Sequence, residues 1–397
     1  MALVFDDPRS PRRRLRKRRP SVVDRRREWL LGSLTVVLTL AACLVVAEVV
    51  LRFLPVASGT RTLAVNAQNP VFHFTPNRDF VFSTGWDMDL ANRGHVNNAG
   101  FLNDQDYGKE DARPLLAVVG DSMIEAAMVP YRETLHGRLA KALDGRLRVY
   151  SFAASGAPLS QYLIWARHAV QEYRAGALII GVVGNDFDES HAAHKTSGGF
   201  WRYVPDENNE LHLRLFEYRP TILTRAVHAS ALARYLAFNL KIGFVWTELR
   251  HLLFGGPAMA QPAYAGIAAA DPNEVRVRDS LAAMDAFFRD LPRYAGLLPS
   301  RILFVVDGFR YPDAAAASVG TYLDRMRKAF LEKAQSRGYG TIDLDPIFFE
   351  HHRRTGERFE FARDPHWSAI GHGIAFEAVM ASPFLARLGT PTSQHRQ

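Results

Sequence analysis

The chain has 397 residues, 49 Lys and Arg against 41 Asp and Glu, and 48% hydrophobic residues, a composition that excludes a disordered or collagen-like protein. Its formal charge of +8 is not spread over a fold: Met1 to Glu28 carry eleven basic and four acidic residues, and the other 369 hold 38 basic and 37 acidic, so no nucleic-acid partner is indicated. The single cysteine, Cys43, excludes an intramolecular disulfide framework and a Cys-rich zinc module, and the residues call for no cofactor and no metal.

In chain order, residues 1–28 read as a basic cytoplasmic arm, a topology signal that can touch anionic lipid. Trp29 to Ala47 is 19 residues without a charge. At about 1.5 Å per helical residue it spans roughly 28 Å, close to the hydrocarbon thickness of a bilayer. Arg25 to Arg27 precede it, and only Glu48 and Arg52 follow closely. The positive-inside rule therefore predicts a single-pass anchor over 29–52, with the arm in the cytoplasm and the rest of the chain outside. Two other readings compete. Leu40-Ala41-Ala42-Cys43 has the form of a lipid-attachment box, although Leu44-Val45-Val46 keeps the chain apolar afterwards; a buried helix of a soluble protein would not need the basic block.

Residues 56–112 contain short alternating runs, Val71-Phe72-His73-Phe74 and Phe80-Val81-Phe82, that predict a β-rich lead-in. From Leu115 the pattern alternates between strands and helices. Strands are expected at Leu115–Val119, Arg148–Phe152, Ala177–Val183, Arg301–Val306 and Thr341–Leu344; helices are expected near Arg132–Leu143, Leu159–Tyr173, Tyr322–Ser336 and Ser368–Met380. A block from His191 to Ser300 interrupts the rhythm, with a hairpin expected from Phe200 to Phe216, turning at Asp206 to Asn209, and amphipathic helices from Thr221 to Phe254. Strands apolar on both faces predict a parallel sheet covered on both sides, with its active site at the carboxyl ends of the strands.

Each strand end carries a candidate. Gly120-Asp121-Ser122 follows the first strand, where Ser122 suits a nucleophile with its own oxyanion N–H; paired with Glu125 it also matches a helix capping box. Gly156, in Ala153-Ala154-Ser155-Gly156, allows close backbone approach and a second N–H donor, or is a plain turn glycine. Asn185, in Gly184-Asn185-Asp186, offers an amide donor or an Asx turn. In Asp364-Pro365-His366-Trp367, a carboxylate two residues before a histidine can orient it as a general base, while Ser368 caps the last helix. His191 and His194 read as a solvated pair, and His351-His352 as surface. Asp307 and Arg310 are candidates to line the cleft. Phe200, Trp201, Tyr203, Phe216 and Tyr218 could form a lid or sugar-stacking wall, or simply pack.

Together, Ser122, Gly156, Asn185 and His366 resemble the four named residues of the SGNH (GDSL-type) hydrolase family, over about Asn97 to the end. More narrowly the chain looks like a membrane-anchored bacterial subgroup, in which a span ending like Ala47-Glu48-Val49-Val50-Leu51-Arg52 is followed by an Asn-x-x-Gly element, here Asn97 or Asn98 with Gly100-Phe101. The resemblance implies a flavodoxin-like three-layer α/β/α sandwich over 113–390, with 191–300 as a variable insertion. It also implies an oxyanion hole of Ser122, Gly156 and Asn185. Many members place the acid three residues before the histidine, which here is Arg363; the DxHW spacing is similar to that of polysaccharide O-acetylation proteins, leaving Asp364 as the acid.

The activity so implied is a serine esterase acting outside the membrane on an acylated small molecule or on O-acyl groups of envelope or exopolysaccharide glycans. An O-acyltransferase would use the same acyl-serine, and a non-catalytic envelope protein could keep the fold to bind glycan.

Overall fold

The structure is a computed structural model that describes residues 22–242 and 274–388. Most of the basic arm, residues 243–254 of the apolar stretch 221–254, part of the 191–300 block and the last residues up to 390 lie outside the described residues. Two compact units emerge, Met1–Phe53 and Leu54–Gln397.

In the first, an α-helix runs over Val22–Phe53, longer at both ends than the uncharged run. Its Arg26–Phe53 portion is long and apolar enough to cross a membrane, and Cys43 lies exposed on it.

The second unit is built on five parallel strands: β3 (Leu115–Gly120), β4 (Arg148–Ala153), β5 (Ala175–Val182), β8 (Ile302–Val306) and β9 (Gly340–Asp343), in spatial order β4-β3-β5-β8-β9. Counting only these five, the order is 2-1-3-4-5, that of flavodoxin-like sheets. The strand period of two sorts the side chains. Leu115, Ala117 and Val119 join the core that also contains Leu163, Phe287 and Phe330, from helices Leu159–Tyr173, Glu274–Ala295 and Tyr322–Ser336. Leu116 and Val118 join Leu139, Phe348 and Ile374, from helices Leu135–Ala142, Leu344–Thr355 and Ala369–Met380. Helices thus cover both faces, and every residue of β3, β4 and β8 is buried. The helix Leu344–Thr355, which the expected elements left out, is capped by Asp343, whose side chain accepts from the Asp345 N–H.

Residues 56–112 share this core. Their antiparallel hairpin, β1 (Arg78–Thr84) with β2 (Leu90–Val96), is joined by Phe72, Phe74 and Phe101 packing toward Trp165. Val71–Phe74 is not a strand; only Phe74 makes a bridge, to Thr62. The Asn-x-x-Gly element is architectural: Asn97 Oδ1 accepts from the N–H groups of Ala99 and Phe101, and Gly100 has φ +81, where a Cβ would lie 2.4 Å from the Phe74 carbonyl oxygen. The second hairpin, β6 (Trp201–Pro205) with β7 (Leu211–Leu215), turns where expected.

Two glycines set the space behind the first strand end. An added Cβ would lie 2.4 Å from Ile124 Cγ1 at Gly120 and 2.8 Å from it at Gly181, so both strands leave room for one buried isoleucine. Gly120→Ala is expected to destabilise the fold by about 1–3 kcal/mol through overpacking. In an Ile124→Ala background the same change should cost less, as urea unfolding of the four proteins would show.

Candidate functional site

The strand order reverses between β3 and β5, and the residues after these strands face the crevice where such sheets bind ligands. After β3 a single helical turn spans Ser122–Glu125 and ends at Ala126, which adopts φ 49. Asp121, not Ser122, caps this turn: its Oδ1 accepts from the Met123 N–H at 2.9 Å, and its Oδ2 accepts from the Ser122 hydroxyl at 3.0 Å. Burial pushes the Asp121 carboxyl up, against the hydrogen bonds it accepts. Glu125 does not reach back as a capping box requires. Its Oε2 accepts instead from the Ser155 N–H at 2.6 Å and from the Ser155 hydroxyl.

Gly156 lies past the end of β4 with φ +76, in a turn closed by the Ala157 N–H on the Ala154 carbonyl at 3.1 Å. The Lys195 ammonium, paired with Glu189, lies 3.5 Å from the place a Gly156 Cβ would take. Past β5, Asn185 is 6% exposed; it makes no cap bond, and its Oδ1 is buried without a partner. The turn is closed by its neighbour Asp186, whose Oδ2 accepts from the Val183 N–H and whose Oδ1 accepts from the Tyr162 hydroxyl, both at 2.8 Å. The Asx role therefore falls to Asp186 and leaves the Asn185 amide unused.

Asp364 and His366 stand on a short strand, β11 (Asp364–Trp367), paired antiparallel with β10 (Glu360–Phe361). His366 Nδ1 is 2.5 Å from Asp364 Oδ1, which also accepts from the His366 N–H at 3.0 Å. Burial would raise the Asp364 carboxyl, but the hydrogen bond and charge of His366 hold it below the usual carboxylate range. His366 Nε2 is buried and has no partner. The Ser122–Glu125 turn packs against β11, so serine, acid and histidine converge, but the Ser122 hydroxyl donates to Asp121 and no Ser122–His366 hydrogen bond is formed. Arg363 points elsewhere, to Asp87 at 3.1 Å and Asp89 at 3.4 Å. Ser368 sits at the N-cap of the last helix, yet its hydroxyl donates to the Phe359 carbonyl and not to that helix.

Asp307 and Arg310 do not line the cleft. Arg310 is fully buried at the end of β8 with φ +64; it forks onto both carboxylate oxygens of Asp307 and donates from Nη1 to the Pro365 carbonyl at 2.7 Å. This buried pair holds the segment between Asp364 and His366 from behind.

A cleft of about 330 Å³ opens beside the histidine. Glu125, Ser155, Lys241, Asp364 and His366 are among its polar lining and Phe80, Phe82, Met128 and Phe238 among its apolar lining, whereas Ser122, Gly156 and Asn185 do not line it. The lead-in hairpin and the segment around Ala237 thus build the cleft, and the aromatics Phe200, Trp201, Tyr203, Phe216 and Tyr218 do not. Phe200 and Tyr203 are core residues, the Trp201 indole donates to the Pro70 carbonyl, and Phe216 lies under Arg214.

His191 and His194 are not a solvated pair. His194 Nε2 is 3.1 Å from Asp279 Oδ2, Arg278 holds Asp279 Oδ1 at 3.0 Å, and the ligand atoms of His191, His194 and Asp279 lie within 4.8 Å of one another, so these three could hold a metal ion. Asp206, Glu210 and His212 form an exposed cluster. His351 pairs with Glu357 at 2.6 Å on the surface.

No family model and no curated protein matches the sequence. Among solved structures, the chain is similar to TesA (14% identity, 69% of this chain and 99% of that one, TM-score 0.35). It is also similar to a lipolytic protein of the G-D-S-L family from Veillonella parvula (9%, 67% and 96%, 0.34). A third is the acetyl xylan esterase AlAXEase (11%, 67% and 98%, 0.37).

Proposed function

We infer that the chain is a serine esterase of the SGNH type. The observation that carries this reading is the Asp364–His366 pair, held at 2.5 Å so that Nε2 stays buried and unpartnered beside the turn that begins with Ser122. An imidazole whose Nδ1 edge is occupied by a carboxylate is fixed in the tautomer that accepts a proton at Nε2. Rotation of the Ser122 hydroxyl from Asp121 onto Nε2 then activates it for attack on an ester carbonyl. The tetrahedral oxygen is met by the N–H groups of Ser122 and Gly156 and by the Asn185 amide, donors contributed by three adjacent strand ends. His366 returns the proton to the leaving alcohol, and water releases the acid in the reverse sequence.

In the finer reading the substrate is an O-acyl, foremost O-acetyl, group of an envelope or exopolysaccharide glycan, reached on the outer side of the inner membrane. The DxHW spacing and the charge asymmetry around the apolar helix support it. The apolar wall of the cleft beside His366 suits the acyl part of the ester.

The full chain in detergent is expected to hydrolyse p-nitrophenyl acetate and to be labelled by a fluorophosphonate at Ser122. A folded wild type that takes no label, or acetate release equal in wild type and Ser122→Ala, would end this reading.

A further inference from the structure

Glu125 is a carboxylate inside the site that the mechanism above does not use. It is 6% exposed, closes the turn begun by Ser122, and lines the same cleft as His366. Among the described residues its side chain hydrogen-bonds to Ser155, from which Oε2 takes both the backbone N–H, at 2.6 Å, and the hydroxyl. Ser155 is the residue before Gly156, so one carboxylate oxygen ties the last residue of the nucleophile turn to the peptide that carries the second oxyanion donor. The turn has little else to fix it: Ser155 is exposed, Gly156 has φ +76, and the backbone bond closing it is that of Ala157 on Ala154. Burying a carboxyl is costly unless it is hydrogen-bonded, and burial here pushes Glu125 up to about 7 against the two bonds it accepts from Ser155.

We propose that Glu125 is a positioning residue that clamps the Ser155–Gly156 peptide so that the Gly156 N–H and the Ser122 N–H face one oxygen. The proposal rests on the esterase reading for its consequence in catalysis, but the clamp itself is a property of the fold. A mispositioned donor is felt in the transition state more than in substrate binding. Glu125→Ala should therefore lower kcat for p-nitrophenyl acetate about 10²-fold while KM stays within about twofold. Glu125→Gln keeps an oxygen that can accept from Ser155 and should recover most of that loss. In the same proteins, hydrogen exchange at residues 155–157 should accelerate in the Ala variant and stay near wild type in the Gln variant.

Equal kcat in the Ala and Gln variants, or unchanged exchange at 155–157 in the Ala variant, overturns the clamp. If Glu125→Ala does not fold, Ser155→Ala, which removes the hydroxyl half of the clamp, and Glu125→Gln carry the same comparison. A wild type without hydrolysis or fluorophosphonate labelling would defeat the esterase reading alone, and the exchange measurement would still decide the clamp.

Discussion

Ser122→Ala, His366→Ala and the variant carrying both substitutions are expected to be about equally inactive toward p-nitrophenyl acetate, each on the order of 10⁴-fold or more below wild type. A serine hydroxyl is a poor nucleophile without a base, and a base two atoms from no nucleophile does nothing, so the residues act as a unit and their losses do not multiply. Asp364→Asn should also lose several orders of magnitude, though less than removal of the serine or the histidine, because an amide can donate to Nδ1 and hold the wrong tautomer and the charge that stabilises the imidazolium is gone. Steady-state kinetics of the four variants separates this from chance proximity. A double variant lower than either single by the product of their effects would mean that Ser122 and His366 work independently.

The largest stability effect is expected at Arg310. The guanidinium and the Asp307 carboxylate are both buried, burial pushes Asp307 up and Arg310 down, and their pairing offsets the cost of burying either charge. Arg310→Leu leaves a buried carboxylate unpaired and removes the donor to the Pro365 carbonyl, which should cost about 3–5 kcal/mol in urea unfolding. Arg310→Lys should not restore it, since a single ammonium cannot fork onto Asp307 and also reach Pro365. Arg310→Leu combined with Asp307→Leu should be less destabilised than Arg310→Leu alone, because no charge is then stranded. A single variant as stable as wild type would show that the pair is dispensable.

Much of the sheet was legible because burial on both faces leaves a mark in the sequence. Leu115–Val119 and Arg301–Val306 read as continuous apolar runs, and both are strands within a residue; the helix Leu159–Tyr173 matches at both ends because its apolar face repeats at helical spacing. Asp364 could be preferred over Arg363 by chemistry alone, and the structure aims the two side chains in different directions. Contacts between distant segments left no such mark. The Ser122/Glu125 spacing satisfied a local capping pattern, while the actual partner of Glu125 is Ser155, and nothing in the His191/His194 spacing points to Asp279, which arrives from the helix Glu274–Ala295. The aromatics of the inserted hairpin were candidates for a cleft wall by composition. Phe200, just before β6, and Tyr203, on it, are instead packed into the core, and the wall comes from the hairpin that precedes the sheet together with Met128 and Phe238.

Placing the proposed acid and base two residues apart on β11 also changes what folding must accomplish. A triad drawn from three remote segments needs two long chain closures, each costing roughly 5 kcal/mol of entropy for a separation of this size, beyond a constant term. Here one closure, joining the Ser122 turn to the Glu360–Trp367 hairpin, assembles all three groups, because the other spacing is set by covalent geometry. The dyad behaves as a preassembled cartridge: any change that preserves this hairpin preserves the relation of acid to base, and only its docking against the first strand end is left to tertiary structure.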